Sequence, residues 1–219
     1  MIQRVYEQAQ LSQASRVVIA TDDQRIADVV RSFGGECCMT RMDHVSGTDR
    51  VQEVTDALDL ALDHLVINVQ GDEPLIPPEV INQLANMLEH SPAPMATLAE
   101  PIETIEDLMD PNIVKVVTAE NGDALYFSRA PIPWDRDRLA NQIAVGARRH
   151  IGIYGYRVSL LNEFITWPPS HLEKIEKLEQ LRIMERGVRI NVQSAVVSIP
   201  PGIDTASDLE RTLAVLASQ

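Results

Sequence analysis

Two carboxylates stand where loops could carry them to a ligand. Asp72 lies in Gln70-Gly71-Asp72-Glu73-Pro74, directly after the apolar run 65–69. In open α/β sheets ligands gather at the carboxyl ends of strands. An acid at that rim suits Mg²⁺, which takes oxygen ligands and substrate phosphates; capping a turn before Pro74 is the alternative role. Asp204 precedes Thr205-Ala206-Ser207-Asp208. There Thr205 can cap a helix and Asp208 can reach back, which leaves Asp204 for a metal or for water.

Ser46-Gly47-Thr48-Asp49 places hydroxyls and free backbone N–H groups at a helix start, with Arg50 one turn in. That arrangement suits an anionic ligand and equally makes an ordinary capping box. Arg129 follows a predicted strand and could hold a carboxylate bidentately. His150, Tyr154 and Tyr156 share strand parity and can face one way, an unusual polar face that favours a lined pocket. Glu179 lies off the apolar stripe of a predicted helix over 174–186, beside Gln180. A solvated helix face is the simpler reading of that glutamate.

Hydrophobic patterning supplies the framework for these residues. Apolar runs at 16–20 and 65–69 read as strands buried on both faces, and 36–39 as a third. Helices are predicted over 1–13, from Thr21-Asp22-Asp23 to about Phe33, from Ser46, from Pro77-Pro78, and over 205–217. This alternation predicts an α/β domain with a mostly parallel, doubly wound sheet. After Met95 the rhythm changes. Strands near 114–118, 124–128 and 151–156 form a smaller mixed β excursion, with 129–149 rich in proline and charge.

The 219 residues suffice for one domain, and the formal net charge of −13 argues against a nucleic-acid surface. No apolar run approaches the roughly 18 residues of a membrane span. Cys37 and Cys38 are adjacent and read as small buried side chains on a strand rather than a disulfide. The expected location is the cytoplasm.

Taken together, several segments resemble the 3-deoxy-manno-octulosonate cytidylyltransferase (CMP-Kdo synthetase) family. They are Ala20-Thr21-Asp22, Cys38-Met39-Thr40-Arg41, Asp43-His44-Val45-Ser46-Gly47-Thr48-Asp49-Arg50, Asn68-Val69-Gln70-Gly71-Asp72-Glu73-Pro74, Leu125-Tyr126-Phe127-Ser128-Arg129-Ala130-Pro131-Ile132-Pro133-Trp134, Arg149-His150-Ile151-Gly152-Ile153-Tyr154-Gly155-Tyr156-Arg157, Leu178-Glu179-Gln180-Leu181-Arg182 and Asp204-Thr205. The resemblance spans nearly the whole chain. It implies a sheet of the nucleotide-diphospho-sugar transferase type in a single domain, with a substrate-binding and dimerisation excursion over about 129–157. It implies an enzyme joining CTP to the acidic sugar Kdo, giving CMP-Kdo and pyrophosphate for lipopolysaccharide synthesis. Mg²⁺ would be held by Asp72 and Asp204. The nucleotide would meet Thr21, Asp22, Ser46, Gly47 and Arg50. The sugar would meet Gln70, Arg129, His150, Tyr154, Tyr156, Glu179 and Gln180. A homodimer with contacts from about 131–137 is implied as well.

The family also opens with a buried strand and a loop resembling A-R-x-x-S-x-R-L-P-G-K-P, and Met1-Ile2 match the family's residues just after that loop. The resemblance therefore implies on the order of 30 further residues upstream. It also implies that strands 16–20 and 65–69 would face a gap, with at most trace transfer from these 219 residues. A silent homologue keeping the fold, or an enzyme for another acidic sugar, is the competing expectation.

Overall fold

A computed structural model describes residues 1–136, 146–203 and 205–217. Asp204 and the segment 137–145, which includes Asp137 of the expected dimer contact, lie outside the described residues.

The first half is built as the alternation predicts. Helix α1 (Ile2–Gln10) leads to strand β1 (Ile19–Thr21), helix α2 (Gln24–Ser32) and strand β2 (Cys37–Met39). Asp23 caps α2 by accepting from the Arg25 N–H, and Gly34 leaves the helix at φ +77°, a conformation glycine adopts without steric cost. β1 and β2 pair in parallel, Ile19 opposite Cys37. Both cysteines are half-buried rather than buried. Helix α3 (Gly47–Ala57) starts at Ser46 in the expected capping box with Asp49. Next come strand β3 (Leu65–Asn68) and helix α4 (Pro78–His90), with proline in its first turn.

The second half contains the predicted strands and helices together with elements that patterning left unassigned, Met95–Pro101, Ile105–Met109, Val158–Phe164 and Ile190–Ser194 among them. Strand β4 (Met95–Pro101) is buried over its first five residues, and a short helix α5 (Ile105–Met109) succeeds it. Strands β5 (Lys115–Thr118) and β6 (Ala124–Ser128) pair antiparallel. Strand β7 (Arg148–Arg157) runs into helix α6 (Val158–Phe164). Helices α7 (His171–Glu176) and α8 (Gln180–Glu185) precede strand β8 (Ile190–Ser194) and helix α9 (Ala206–Ala217).

The sheet is mixed rather than mostly parallel. β4 and β8 pair in parallel, and β3 and β4 each pair antiparallel with β7, so β3, β4 and β8 run one way. β7 is inserted between them in the opposite sense. It returns from the excursion and then enters α6. Its far edge meets β5 at Lys115 opposite Arg149, and further along meets β3. Among the described residues β1 pairs only with β2, and β3 only with β7, so the two-stranded and six-stranded sheets remain separate.

Alternation along β4 divides the core. Met95 and Ala99 face Tyr156, Leu160, Leu161, Phe164 and Leu181, while Ala96 and Leu98 face Ile81, Leu84 and Leu88 of α4. The single helix expected over 174–186 is two helices. Lys177 adopts a left-handed conformation at φ 55°, and its N–H donates to the Glu173 carbonyl, which ends α7. Ile175, expected in the buried stripe, is 64% exposed, while Leu178 and Leu181 are buried. A buried ion pair between Glu173 and Arg182 folds α7 back on α8.

Candidate functional site

β7 supplies the wall of a cleft. His150 and Tyr154 have ring centroids 5.3 Å apart, and Tyr154 and Tyr156 are 6.0 Å apart, so the three rings form the common face that parity predicts. They do so across a bulge, where the pairing jumps from Thr97 opposite Tyr154 to Leu98 opposite Ile151. Thr97 fills the bulge. Its hydroxyl lies 2.7 Å from the Ile153 carbonyl, 3.0 Å from that of Ile151 and 3.0 Å from His150 Nε2. A hydroxyl has one proton to give. With that proton on a carbonyl, Nε2–H is the donor to Thr97 Oγ1, and Nδ1 keeps its lone pair. Burial holds the imidazole neutral, pushing its pKa down to about 3. Burial also raises both phenols, so Tyr154 and Tyr156 stay protonated and able to donate.

The left-handed turn at Lys177 sets the opposite wall. It interrupts what would be one helix and delivers Glu179 and the buried Gln180 to the cleft instead of to solvent. The cleft has a volume of about 470 Å³ and is lined by His150, Tyr154, Glu179 and Gln180 together with Asn112 and Lys177. Of the sequence-predicted sugar residues, these four come together, and Tyr156 stacks behind Tyr154. Gln70 is exposed at the end of β3 and does not line this cleft.

Arg129 stands at the lip. Its Nε donates to the Glu176 carbonyl at 2.8 Å and its Nη1 to the Pro111 carbonyl at 2.9 Å. These carbonyls immediately precede two cleft residues, Lys177 and Asn112. The guanidinium therefore braces both rims and keeps donors on Nη1 and Nη2 for a ligand. Two supports escaped sequence reasoning. Glu176 accepts from Ser128 Oγ at 2.6 Å and from the Arg129 N–H at 2.9 Å. Lys115, fully buried, donates to the carbonyls of Asp110, Ile113 and Arg129 at 2.6–2.8 Å. A lone charge inside an apolar strand pattern was the available signal for Lys115. Glu176 offered none, because nothing in its spacing sets it apart from the other charges near it in sequence.

The start of α3 forms the adjoining half. Ser46 Oγ accepts from the Asp49 N–H at 3.2 Å, and Gly47 begins the helix. Arg50 reaches back to Asp22 at 2.9 Å and to the Thr40 hydroxyl. The Arg50 guanidinium holds the Asp22 carboxyl below its usual range. Thr21 is buried and accepts from the Asp23 N–H. His44, paired with Glu53, fixes the loop before Ser46. The helix start and this cleft meet where Thr48 donates to Glu179.

The QGDEP loop lies against the segment that leads into Asp204. Ile203 N–H donates to the Asp72 carbonyl at 2.9 Å, and Gly202 packs close enough that an added Cβ would sit 3.4 Å from that oxygen. Glu73 Oε2 is buried with no hydrogen-bond partner. Burial, then the neighbouring Asp72, lifts the Glu73 carboxyl to about 7. Among the described residues no three His, Cys, Asp or Glu side chains cluster to hold a metal, and Asp204 is not among them. The donors that do occur here are all oxygens, the chemistry Mg²⁺ requires.

This architecture defines an α/β nucleotidyltransferase. A family model described as cytidylyltransferase matches residues 1–190. The 3-deoxy-manno-octulosonate cytidylyltransferase of Saccharophagus degradans is 54% identical over 226 residues, covering 100% of this chain and 89% of its own length. That of Cellvibrio japonicus is 55% identical over 223 residues, covering 99% and 88%. A solved structure described as CMP:2-keto-3-deoxy-manno-octonic acid synthetase complexed with CTP superimposes with a TM-score of 0.89 at 41% identity, over 99% of this chain and 87% of that one. A 4-diphosphocytidyl-2C-methyl-D-erythritol synthase, at TM-score 0.60 and 14% identity over 98% and 86%, shares the fold alone. The chain belongs to the 3-deoxy-manno-octulosonate cytidylyltransferase family.

Proposed function

We propose that this protein joins CTP to Kdo, giving CMP-Kdo and pyrophosphate for lipopolysaccharide synthesis. The observation that carries the reading is the meeting of two half-sites. A polar cleft of His150, Tyr154, Glu179 and Gln180 opens beside a capped helix start bearing Ser46, Gly47 and Arg50. The family membership supplies the substrates' identity.

The anomeric hydroxyl of Kdo attacks the α-phosphorus in line, and pyrophosphate leaves; the protein's task is positioning and charge neutralisation. Arg129 offers its free guanidinium donors to the sugar carboxylate. Neutral His150 and the protonated phenol of Tyr154 meet hydroxyls without adding charge, while Tyr156, expected among the sugar contacts, is buried behind Tyr154 and bonds to Thr48. Glu179, Gln180 and Gln70 complete the sugar's contacts. The Gly47 N–H and the Ser46 hydroxyl, with Thr21, Asp22 and Arg50, orient the nucleotide; the Ser46 N–H is taken by the Asp49 carboxylate. Asp72 and Asp204 would hold Mg²⁺, which when bound neutralises triphosphate charge.

The same reading makes the protein a cytoplasmic homodimer with contacts from about 131–137, where Trp134 is 67% exposed. No helix among the described residues is long and apolar enough to cross a membrane. Pyrophosphate release from CTP and Kdo, with each substrate omitted in turn, tests the activity. Release that does not require Kdo would remove the sugar assignment.

A further inference from the structure

Thr48 lies in the first turn of α3 and is only 3% exposed, with its hydroxyl donating to the Glu179 carboxylate. These residues are 131 positions apart in sequence, so the contact joins two separate elements. The Tyr156 hydroxyl is also a hydrogen-bonding neighbour of Thr48. Glu179 precedes α8 and makes no side-chain cap for it, so the helix does not fix its carboxylate. The buried Arg182, paired with Glu173, is close enough to feel both Glu179 and Asp49 of α3. From α3, Thr48 reaches Glu179 in the wall of the cleft, while Ser46, Gly47 and Arg50 of the same stretch serve the other side.

We infer that Thr48 is a positioning residue for the sugar: its hydroxyl, wedged between Tyr156 and Glu179, holds the Glu179 carboxylate at the angle at which it meets Kdo. This rests on the reading of the cleft as the Kdo site. A carboxylate has about four lone-pair directions. Occupying one with a fixed, buried hydroxyl points the others into the cleft and removes the rotamers that would turn the group to solvent. Valine matches threonine in shape and lacks the donor, so Thr48→Val removes the contact while keeping the volume. Serine restores the donor and drops a methyl.

The test is equilibrium binding of Kdo and, separately, of CTP by titration calorimetry on the parent chain and on Thr48→Val, Thr48→Ser, Glu179→Gln and Thr48→Val/Glu179→Gln, with thermal melts to verify folding. Thr48→Ala replaces the valine variant if that variant melts early. A hydrogen bond to a charged group corresponds to roughly 10- to 100-fold in affinity. Thr48→Val is expected to weaken Kdo by about that factor and leave CTP within about twofold, with serine recovering most of the loss. The double variant is expected to bind Kdo no more weakly than Glu179→Gln alone, because one hydroxyl cannot act twice through a missing carboxylate. A Thr48→Val variant that binds Kdo like the parent, or losses that add in the double variant, overturns the inference and leaves the cleft assignment standing. A parent chain that gives no Kdo heat, or a Glu179→Gln variant that matches it, overturns the cleft assignment and the inference with it.

Discussion

The Ile203 N–H donates to the carbonyl of Asp72 across 2.9 Å, tying the loop after β3 to the segment that enters Asp204. A backbone contact of this kind survives side-chain substitution, so the loops' approach and the carboxylate's chemistry can be separated. Asp72→Asn keeps the shape of the side chain and removes its charge. The variant should fold with an unchanged melting temperature and lose transfer by about 10²–10³-fold, the scale of removing one preorganised charge-stabilising group. Pyrophosphate release against Mg²⁺ concentration measures it. Turnover equal to the parent would remove Asp72 from the metal site.

Arg129 makes two kinds of contact, and two variants separate them. Its Nε and Nη1 donate to the backbone carbonyls of Glu176 and Pro111, and its remaining donors are the ones proposed to meet the sugar carboxylate. Arg129→Ala should raise the KM for Kdo by about 30- to 1000-fold, equivalent to about 2–4 kcal/mol for losing a charge-assisted contact, with little change in the KM for CTP. Arg129→Lys keeps the charge and cannot make the fork, so it should recover only part of the loss. Equal damage to both substrates would make Arg129 structural.

His150 gives a pH signature. Its folded pKa, about 3, lies below the ordinary histidine value of 6.5 because the ring is buried. Between those values the unfolded chain binds a proton that the folded chain refuses. The histidine's contribution to stability is therefore complete above about pH 6.5 and is lost as pH falls toward 3. The slope approaches about 1.4 kcal/mol per pH unit. Glu73, raised to about 7, has the opposite sign, since its stabilising contribution is lost as pH rises from 4.5 through 7. Comparing the parent with His150→Gln cancels the Glu73 contribution. Urea unfolding at pH 7, 6 and 5 should show the parent losing more stability than the variant at each step. Parallel curves would mean that the imidazole is not held neutral.

Much of this was legible in the sequence because it depends on local chemistry. The capping box at Ser46 and Asp49, the proline start of α4 and the shared face of His150, Tyr154 and Tyr156 are set by spacing of a few residues. What stayed hidden is set by partners far along the chain. β4 carries no alternation to read because its first five residues are buried on both faces, whereas β8 alternates Ile190, Asn191, Val192 and Gln193 and was legible, though left unassigned. The reversed insertion of β7 is a property of the route the chain takes after 129, not of the strand's residues. Glu179 looked like a solvated charge because the pattern Ile175, Leu178, Leu181 and Met184 continues smoothly through Lys177. Only the fold reveals that the register breaks there.

The break at Lys177 is itself testable. Lys177 is not glycine, yet it sits at φ 55° and ψ 45°, where a side chain costs about 1–2 kcal/mol. Its side chain also lines the cleft, so any substitution removes an amine from the sugar's surroundings. Comparing Lys177→Gly with Lys177→Val isolates the backbone, since both lose that amine. Glycine adopts the left-handed conformation freely and should match or exceed the parent's stability by up to about 1 kcal/mol after its own entropic cost. Valine is stiffened by branching at Cβ and should cost about 1–2 kcal/mol. Valine also biases residues 171–186 toward one continuous helix, which would turn Glu179 out of the cleft and away from Thr48. The valine variant should therefore bind Kdo several-fold more weakly than the glycine variant, with CTP binding alike in the two. Denaturant unfolding and Kdo calorimetry on the pair measure both effects. Equal Kdo affinities alongside unequal stabilities would show that the left-handed turn shapes the helix pair without setting the position of Glu179.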